Sequence, residues 1–320
     1  MMKNDNIIPI FFSIDDNYAP YLATALNSAI KNSSSDNIYK VMVLHKNLDP
    51  ENIDRISALS TDNFQISFLP MTVSFDDITD RIGNCLRADY FTLTIYFRLF
   101  IPEMFPEYDK GIYLDSDIVV MGDLANLYEI PLGDNLLAAV PDYSVMDVPP
   151  LVKYIEDAVG IPKDKYINSG VLLMNLKAMR EANMSKKFLY LLNKYQFDCI
   201  APDQDYINAM CKDRVLYLPG DWNAMPNPNK EPLIKPKLIH YNLFAKPWCY
   251  DGIQYKKQFW KYAKTGGYYE EIQAHKDGYS EEQKRSDARC LELLMARGTA
   301  IAETENTFKN IFESGKEKRL

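Results

Sequence analysis

The chain has 320 residues and a formal net charge of -8, with 47% hydrophobic and 25% charged residues. This composition is typical of a globular protein. The acidic balance argues against nucleic acid as a bulk partner, because the phosphate backbone favours a basic surface. The length allows one large α/β domain with appendages, or two domains.

Five cysteines, without a close-spaced pair, indicate reduced thiols and neither a disulfide framework nor a zinc cluster. The first apolar run is about eight residues long and meets Asp15 and Asp16 at once, unlike a secretory signal. No segment reaches the length of a transmembrane helix. We therefore expect a cytoplasmic protein.

Apolar runs and amphipathic stretches alternate through the first two thirds of the chain. They predict strands at residues 7–14, 39–44, 64–69, 111–120, 138–140, 171–175 and 238–239. They predict helices at residues 18–31, 51–59, 93–100, 184–195 and 204–211. This order predicts an α/β fold with a mostly parallel sheet covered by helices on both faces, and ligands at the carboxyl ends of its strands. Because neither a Gly-x-Gly-x-x-Gly after the first strand nor a phosphate-loop motif occurs, a standard dinucleotide site is not predicted.

The character of the sequence changes near residue 250. A basic, aromatic stretch over residues 255–264 is followed by Gly266 and Gly267, and residues 280–320 are helix-friendly and charge-rich. We predict a main α/β domain over residues 1–250 and a helical C-terminal extension over 251–320. The basic stretch either packs its aromatic side chains on the domain or makes a peripheral contact with an anionic membrane surface.

Asp115 and Asp117 interrupt the apolar run at 111–120. In a single extended strand their side chains would leave the same face. Two carboxylates at the end of a buried strand suit a hard divalent cation, which can in turn bind a diphosphate. An Asp-x-Asp pattern also arises by chance about once in a chain of this size, and Asp203-Gln204-Asp205 is a second copy. A solvated strand end is therefore the alternative.

Two further pieces precede this motif. The segment from Asp15 to Tyr18 follows the first predicted strand and would either bind a flat base, with Tyr18 stacking on it, or cap a helix. Arg98 is a charge within an apolar segment. It either extends to the surface or pairs with an acidic group such as Asp115.

Three pieces follow the motif. Asn168-Ser169-Gly170 would form a turn or a close backbone approach to a ligand. Asp203 would cap a helix, whereas Gln204 could touch the anomeric centre of a sugar through its carbonyl oxygen. His240 would be structural, or would complete an oxygen-plus-imidazole set that suits Mn²⁺ better than Mg²⁺. Lys246 could then neutralise a phosphate.

Taken in order, these motifs resemble the family 8 glycosyltransferases, which include glycogenin and the bacterial lipooligosaccharide galactosyltransferases. The resemblance spans about residues 7–250. It implies a GT-A fold and a retaining transfer of galactose or glucose from a UDP-sugar donor to a hydroxyl of a glycan, a lipid-linked glycan or another acceptor. The family often carries a glycine three residues after this histidine, where this chain has Leu243.

The resemblance also implies residue roles. Mn²⁺, or Mg²⁺ in its place, would be bound by Asp115, Asp117 and His240. The donor would be contacted by Asp15, Asp16, Asn17, Tyr18, Arg98, Asp115, Ser116, Asn168, Gly170 and Lys246. The reacting sugar would be contacted by Asp142, Asp203 and Gln204. The alternatives are a sugar nucleotidyltransferase, a UDP-sugar hydrolase or a catalytically silent UDP-sugar-binding protein on the same fold.

Overall fold

The computed structural model describes residues 7–71 and 93–320. In these residues the chain forms nine strands: β1 (Ile7–Ile14), β2 (Ile38–His45), β3 (Phe64–Pro70), β4 (Gly111–Leu114), β5 (Ile118–Val120), β6 (Leu137–Ala139), β7 (Val171–Met174), β8 (Val215–Tyr217) and β9 (Leu238–His240). Seven of the described strands make one sheet in the order β3-β2-β1-β4-β7-β6-β8, and β5 pairs with β9 beside it. The short strand β8 was not predicted.

The large sheet is mixed and mostly parallel, as predicted. β1 runs parallel to β2 and β4, β2 runs parallel to β3, and β6 runs parallel to β8. β7 is antiparallel to both of its neighbours, β4 and β6. The carboxyl ends of β1, β2 and β4 therefore meet at one edge of the sheet, where ligands bind in folds of this type.

The prediction of one strand over residues 111–120 was wrong. β4 belongs to the large sheet, whereas β5 pairs antiparallel with β9. The backbone N–H of Asp115 still donates to the carbonyl of Gly170 at 2.8 Å, and the carbonyl of Asp117 accepts from the N–H of Tyr241 at 2.9 Å. The chain changes sheets between these two contacts, so β4 and β5 are separate strands.

Helices cover both faces of the sheet. Within the described residues they are α1 (Ala19–Asn32), α2 (Pro50–Ser57), α3 (Ile101–Met104), α4 (Ala125–Tyr128), α5 (Pro149–Tyr154), α6 (Leu176–Glu181), α7 (Met184–Tyr195), α8 (Pro202–Cys211), α9 (Lys256–Ala263), α10 (Tyr269–Gly278), α11 (Glu281–Ala302) and α12 (Phe308–Glu313). The helix predicted at 93–100 is a 3-10 helix over Leu93–Leu99. The longest helix, α11, begins at a capping box in which Ser280 and Gln283 satisfy each other's backbone N–H groups.

The sheet separates two hydrophobic clusters. Along β1, Ile10 and Phe12 belong to one cluster and Phe11 belongs to the other. Successive side chains of a strand point to opposite faces, so this alternation places apolar packing on both sides. Burial on both faces explains why β1 is apolar at every position except Ser13.

The C-terminal helices pack against the rest of the chain. In α9, Phe259 and Tyr262 are buried, and the side-chain amide of Asn27 in α1 donates to the carbonyl of Tyr262 at 2.7 Å. Further along, α11 packs on α5. The aromatic side chains of the basic stretch therefore pack inward, which was one of the two predicted alternatives. Within residues 7–71 and 93–320, none of the helices combines the length and apolar character that a membrane crossing requires.

Candidate active site

Two aspartates and a histidine meet where β4, β5 and β9 come together. Asp115 follows β4, Asp117 precedes β5, and His240 ends β9 opposite Ile118. One ligand atom from each of the three side chains lies within 4.8 Å of the others. The imidazole Nε2 is 3.2 Å from Asp117 Oδ1 and 3.8 Å from Asp115 Oδ2. The structure brings together the three residues that the sequence analysis assigned to one metal ion, although that prediction started from a single strand.

The orientation of His240 is set by its other ring nitrogen. Nδ1 lies 3.1 Å from the side-chain oxygen of Asn223, whose amide donates to Asn168 Oδ1 at 3.0 Å. An Nδ1–H donated to that oxygen leaves the lone pair of Nε2 facing the two aspartates, which is the tautomer that binds a metal. Asn223 was not predicted, and a lone asparagine in a loop gives no sequence signal for this role.

Asp115 is fixed through one oxygen. Its Oδ1 accepts from Arg98 at 2.9 Å and from the hydroxyl of Tyr113 at 3.0 Å. Oδ2 is the oxygen that faces His240. Arg98 and Tyr113 thus orient this carboxylate, and Tyr113 was not predicted.

Arg98 is buried, so the alternative that it extends to the surface was wrong and its pairing with Asp115 is confirmed. It also lies 3.2 Å from Asp203 Oδ2. Burial alone would lower the pKa of Arg98, but Asp115 and Asp203 outweigh that effect and raise the pKa above its ordinary value. The guanidinium therefore stays charged and joins the two acidic groups.

Asp117 is paired with Lys246, whose ammonium group also donates to the carbonyl of Tyr241. Burial would raise the pKa of Asp117, but Lys246 and then His240 outweigh it and hold the pKa well below its usual range. The carboxylate is therefore ionised. Two carboxylates and an imidazole whose Nε2 has given up its proton form a donor set that fits a divalent cation such as Mn²⁺.

The loop that carries Lys246 has an unusual backbone at Leu243, with a φ of 50°. This left-handed conformation favours glycine. It occurs at the position where the family that the sequence resembles often has a glycine.

Behind the metal cluster, Asp142 connects the predicted sugar-contacting residues. Its Oδ2 accepts from Asn168 and from the side-chain amide of Gln204, both at 3.0 Å. The carbonyl oxygen of Gln204 accepts from the backbone N–H of Ser169 at 3.0 Å. All of these side chains are buried. Gln204 is thus held rigidly, with its oxygen already hydrogen-bonded.

The alternative that Asp203 caps helix α8 was wrong. The N-cap residue is Ala201, and the Asp203 carboxylate accepts from the hydroxyl of Ser169 at 2.9 Å and pairs with Arg98. Asp203 is therefore bound to the same cluster as Asp115.

At the end of β1 the predicted cap is present, because Asp15 accepts from the backbone N–H of Tyr18 at 3.3 Å. Burial raises the pKa of Asp15 against the lowering effect of these backbone N–H groups. Asp16 points elsewhere and accepts from Asp49 N at 2.8 Å and Asn52 Nδ2 at 2.9 Å.

These groups line a cavity of about 380 Å³. The predicted residues that line it are Asp15, Tyr18, Arg98, Asp115, Ser116, Asp117, Asn168, Asp203, Gln204, His240 and Lys246. Asp16, Asn17 and Gly170 are not among its lining residues, and Asp142 lines a smaller neighbouring cavity. The far wall consists of C-terminal residues that were not predicted for the site, including Tyr279 and Asp287.

Gly170 affects the cluster from behind. A Cβ atom there would lie 2.3 Å from His240 Cε1 and 2.5 Å from Asp115 Oδ2. Both distances are too short for real atoms, so a glycine is required for the two side chains to approach each other. Glycine is needed here because a Cβ atom has no room beside His240 and Asp115, and not because of its backbone conformation.

Comparison with known proteins agrees with this geometry. A putative glycosyltransferase of Haemophilus influenzae is 32% identical over 220 residues, covering 68% of this chain and 63% of the relative, so the chain spans less than two thirds of that protein. The lipopolysaccharide 1,2-glucosyltransferase of Escherichia coli K12 is 26% identical over 80% of this chain and 78% of its own length.

Solved structures give the same result. The galactosyltransferase LgtC, solved with donor and acceptor sugar analogs, superposes with a TM-score of 0.67 at 27% identity, covering 81% of this chain and 96% of LgtC. The likeness supports a GT-A fold. Residues 9–252 match the family described as glycosyl transferase family 8. Since this match covers most of the sequence, the chain belongs to glycosyl transferase family 8.

Proposed function

We propose that the chain transfers a hexose, galactose or glucose, from a UDP-sugar to a hydroxyl of a glycan or lipid-linked glycan, with Mn²⁺ as its metal. The observation that carries this proposal is the convergence of Asp115, Asp117 and His240 beside a cavity large enough for a ligand. Family membership supports transfer to an acceptor, and the names of the Escherichia coli and LgtC relatives support a hexose and a cell-surface glycan.

The three ligands would hold the dication against the diphosphate of the donor, where it would stabilise the negative charge that develops as UDP leaves. Lys246 would add a second positive charge there. Its ammonium donates a hydrogen bond to Asp117, so it would lie beside a diphosphate that is bound to the same metal ion. Asp15 and Tyr18, at the end of β1, would bind the uracil end of the donor.

Retention of configuration requires two displacements or an attack from the same face as the leaving group. Gln204 is a poor nucleophile, and its carbonyl oxygen already accepts from Ser169. Asp142 holds its amide group. This rigid arrangement favours same-face attack, with Gln204 and Asp203 supporting the positive charge on the sugar. A covalent glycosyl-enzyme adduct, detected by mass spectrometry of the intact protein, would contradict this part of the proposal.

The direct test measures UDP release from UDP-galactose and UDP-glucose by the purified chain. We expect turnover with Mn²⁺, loss of turnover after full chelation of divalent metal, and recovery when Mn²⁺ is added back. Calorimetric binding of UDP should likewise depend on Mn²⁺. Turnover that survives complete metal removal would contradict the assignment, and activity on a sugar 1-phosphate with a nucleoside triphosphate would favour a nucleotidyltransferase.

Peripheral membrane contact through the C-terminal extension is a separate proposal. In α9 and just after it, Lys257, Lys261 and Lys264 are exposed while the aromatic residues face inward. Such lysines would attract an anionic surface electrostatically. Pelleting with anionic and neutral liposomes, with and without residues 253–320, tests it. Equal recovery of both forms with both liposomes would exclude it.

A further inference from the structure

The cavity has a second wall that the family match does not include. The match ends at residue 252, and this wall is built from the end of α10 and the first two thirds of α11. Along α11 the lining residues recur every three or four positions and therefore share one face of the helix. They are Gln283, Ser286, Asp287, Cys290 and Leu294.

Asp287 is the charged group of this wall. It is only 8% exposed, and the hydroxyls of Tyr250 and Tyr279 both donate to its Oδ2, the second at 2.7 Å. Within residues 7–71 and 93–320 no group donates to Oδ1. A buried carboxylate that is held by one oxygen retains strong acceptor capacity at the other. Since Asp287 lines the cavity, that capacity is available to a ligand.

Aromatic rings surround this carboxylate. The rings of His275 and Tyr279 lie 5.6 Å apart at 34°, and those of Tyr250 and Tyr279 lie 5.8 Å apart at 66°. His275 and Tyr279 both line the cavity. An aromatic surface beside a carboxylate suits a sugar, which offers an apolar ring face and several hydroxyl donors.

The charge of the cavity restricts that sugar. Among the described lining residues the α10–α11 wall carries Asp287 and no lysine or arginine. The two cations on the opposite wall, Arg98 and Lys246, are already paired with aspartates. A sugar that carries a carboxylate or phosphate would meet Asp287 without a compensating charge, and like charges repel at this range.

We propose that the α10–α11 wall binds the acceptor, and that this acceptor ends in a neutral, hydroxyl-bearing sugar whose hydroxyls donate to Asp287 Oδ1. The inference rests on the proposed function, because it takes the opposite wall as the donor site. It assigns acceptor selection to the chain's C-terminal extension and donor binding to the residues within the family match. Asp287 acts here as a binding residue.

The test uses the full chain with UDP and Mg²⁺ present, and saturation-transfer NMR with three probes: methyl β-galactoside, methyl β-glucoside and the anionic methyl β-glucuronide. We expect at least one neutral glycoside to bind and the glucuronide to bind at least about tenfold more weakly. Asp287→Asn keeps the shape but places an amide donor at the cavity. It should weaken neutral glycoside binding about tenfold to hundredfold while UDP affinity stays within about twofold.

Glu282→Gln is the charge-matched control, because Glu282 is exposed on α11 and does not line the cavity. It should bind glycosides as the wild type does. If Asp287→Asn does not fold, Ser286→Trp replaces it, since Ser286 is exposed and a large ring there should block the wall.

The two proposals fail in different ways. Equal binding of neutral glycosides by wild type and Asp287→Asn, preference for the glucuronide, or no neutral glycoside binding by the wild type would each overturn the inference. Glycoside binding that depends on Asp287, in a protein without metal-dependent UDP-sugar turnover, would overturn the proposed function and leave the α10–α11 wall as a sugar-binding surface that serves no transfer.

Discussion

The chain contains the pattern Asp-x-Asp twice, and the side chains of the two copies have different surroundings in the structure. Asp115 and Asp117 lie where the backbone leaves β4 for β5, and each presents an oxygen to His240. Each uses its other oxygen for a cation, Arg98 and Lys246 respectively. Both carboxylates therefore keep one oxygen turned toward a common point.

Asp203 and Asp205 lie in the first turn of α8. In a helix, residues two positions apart point about 200° away from each other, since each residue advances about 100°. Asp203 faces Arg98, whereas Asp205 accepts from the hydroxyls of Tyr154 and Tyr166 at 2.7 and 2.6 Å. Asp205 is fully buried. Both oxygens of Asp205 are thus occupied by internal hydrogen bonds, and only Asp203 of this copy faces the cavity.

An Asp-x-Asp pattern therefore becomes a candidate metal site only where the backbone keeps both carboxylates on one side. The pattern must also leave one oxygen of each without a strong donor. Neither condition can be seen in the three letters of the motif. Both depend on the secondary structure and on distant residues such as His240 and Tyr166.

Substitution of the first copy should have the largest effect. Asp117→Ala or His240→Ala should abolish metal-dependent UDP-sugar turnover, because each removes one of three ligands. The fold should survive, since the site lies at a sheet edge beside a cavity. UDP release with Mn²⁺ measures the loss, and circular dichroism during heating measures the fold. Turnover within tenfold of the wild type in either variant would contradict the metal assignment.

Arg98 forms an ion pair with Asp115 of the first copy and with Asp203 of the second, so its removal should break both ion pairs. Arg98→Met would leave Asp115 and Asp203 without their shared cation in a buried site. Breaking a buried ion pair in this way typically costs about 3–5 kcal/mol. Urea unfolding should show a lower free energy of unfolding by that amount. Arg55→Met, which removes a more exposed pair with Glu271, is the control and should cost less than about 1 kcal/mol.

Substitution in the second copy should lower the stability of the fold and leave the metal dependence of turnover unchanged. Asp205→Asn replaces one acceptor oxygen by an amide donor, so one of the two buried tyrosine hydroxyls loses its acceptor. We expect a loss of about 1–3 kcal/mol in the free energy of unfolding. The Mn²⁺ concentration for half-maximal turnover should stay unchanged. An altered Mn²⁺ requirement would show that the two copies are not as distinct as their geometry indicates.

Much of the fold could be predicted because long periodic segments are well determined by their own residues. The strand at Ile7–Ile14 and the helix at Met184–Tyr195 were predicted with their observed bounds. The break after β4 was not, because the residues on both sides of Asp115-Ser116-Asp117 are apolar and the change of sheet depends on pairing with β9. β8 has only three residues, too few for a periodic signal.

The candidate site was predictable to the extent that its residues form motifs. Asp115, Asp117 and His240 were proposed together because an acidic pair and one of three histidines occur in the order that the family 8 motifs have. Tyr113 and Asn223 were missed, since each acts through one contact that only the fold creates. The α10–α11 wall was missed for a related reason. Its lining residues have the spacing of any exposed helix face, and the sequence does not show that this face borders a cavity.

The smallest expected effect concerns Gly170, which tests whether the first copy depends on space as well as charge. Gly170→Ala should push Asp115 and His240 apart, because the added Cβ would overlap both side chains. We expect half-maximal turnover to require about tenfold more Mn²⁺. This is the lower end of the loss in metal affinity that misplaced supporting groups cause. Gly122→Ala is the matched control, since its Cβ would meet Lys237 at an ordinary 3.5 Å. An unchanged Mn²⁺ requirement in Gly170→Ala would mean that the three side chains can move apart and still bind the ion. The charge of the ligands would then matter more for metal binding than their close spacing.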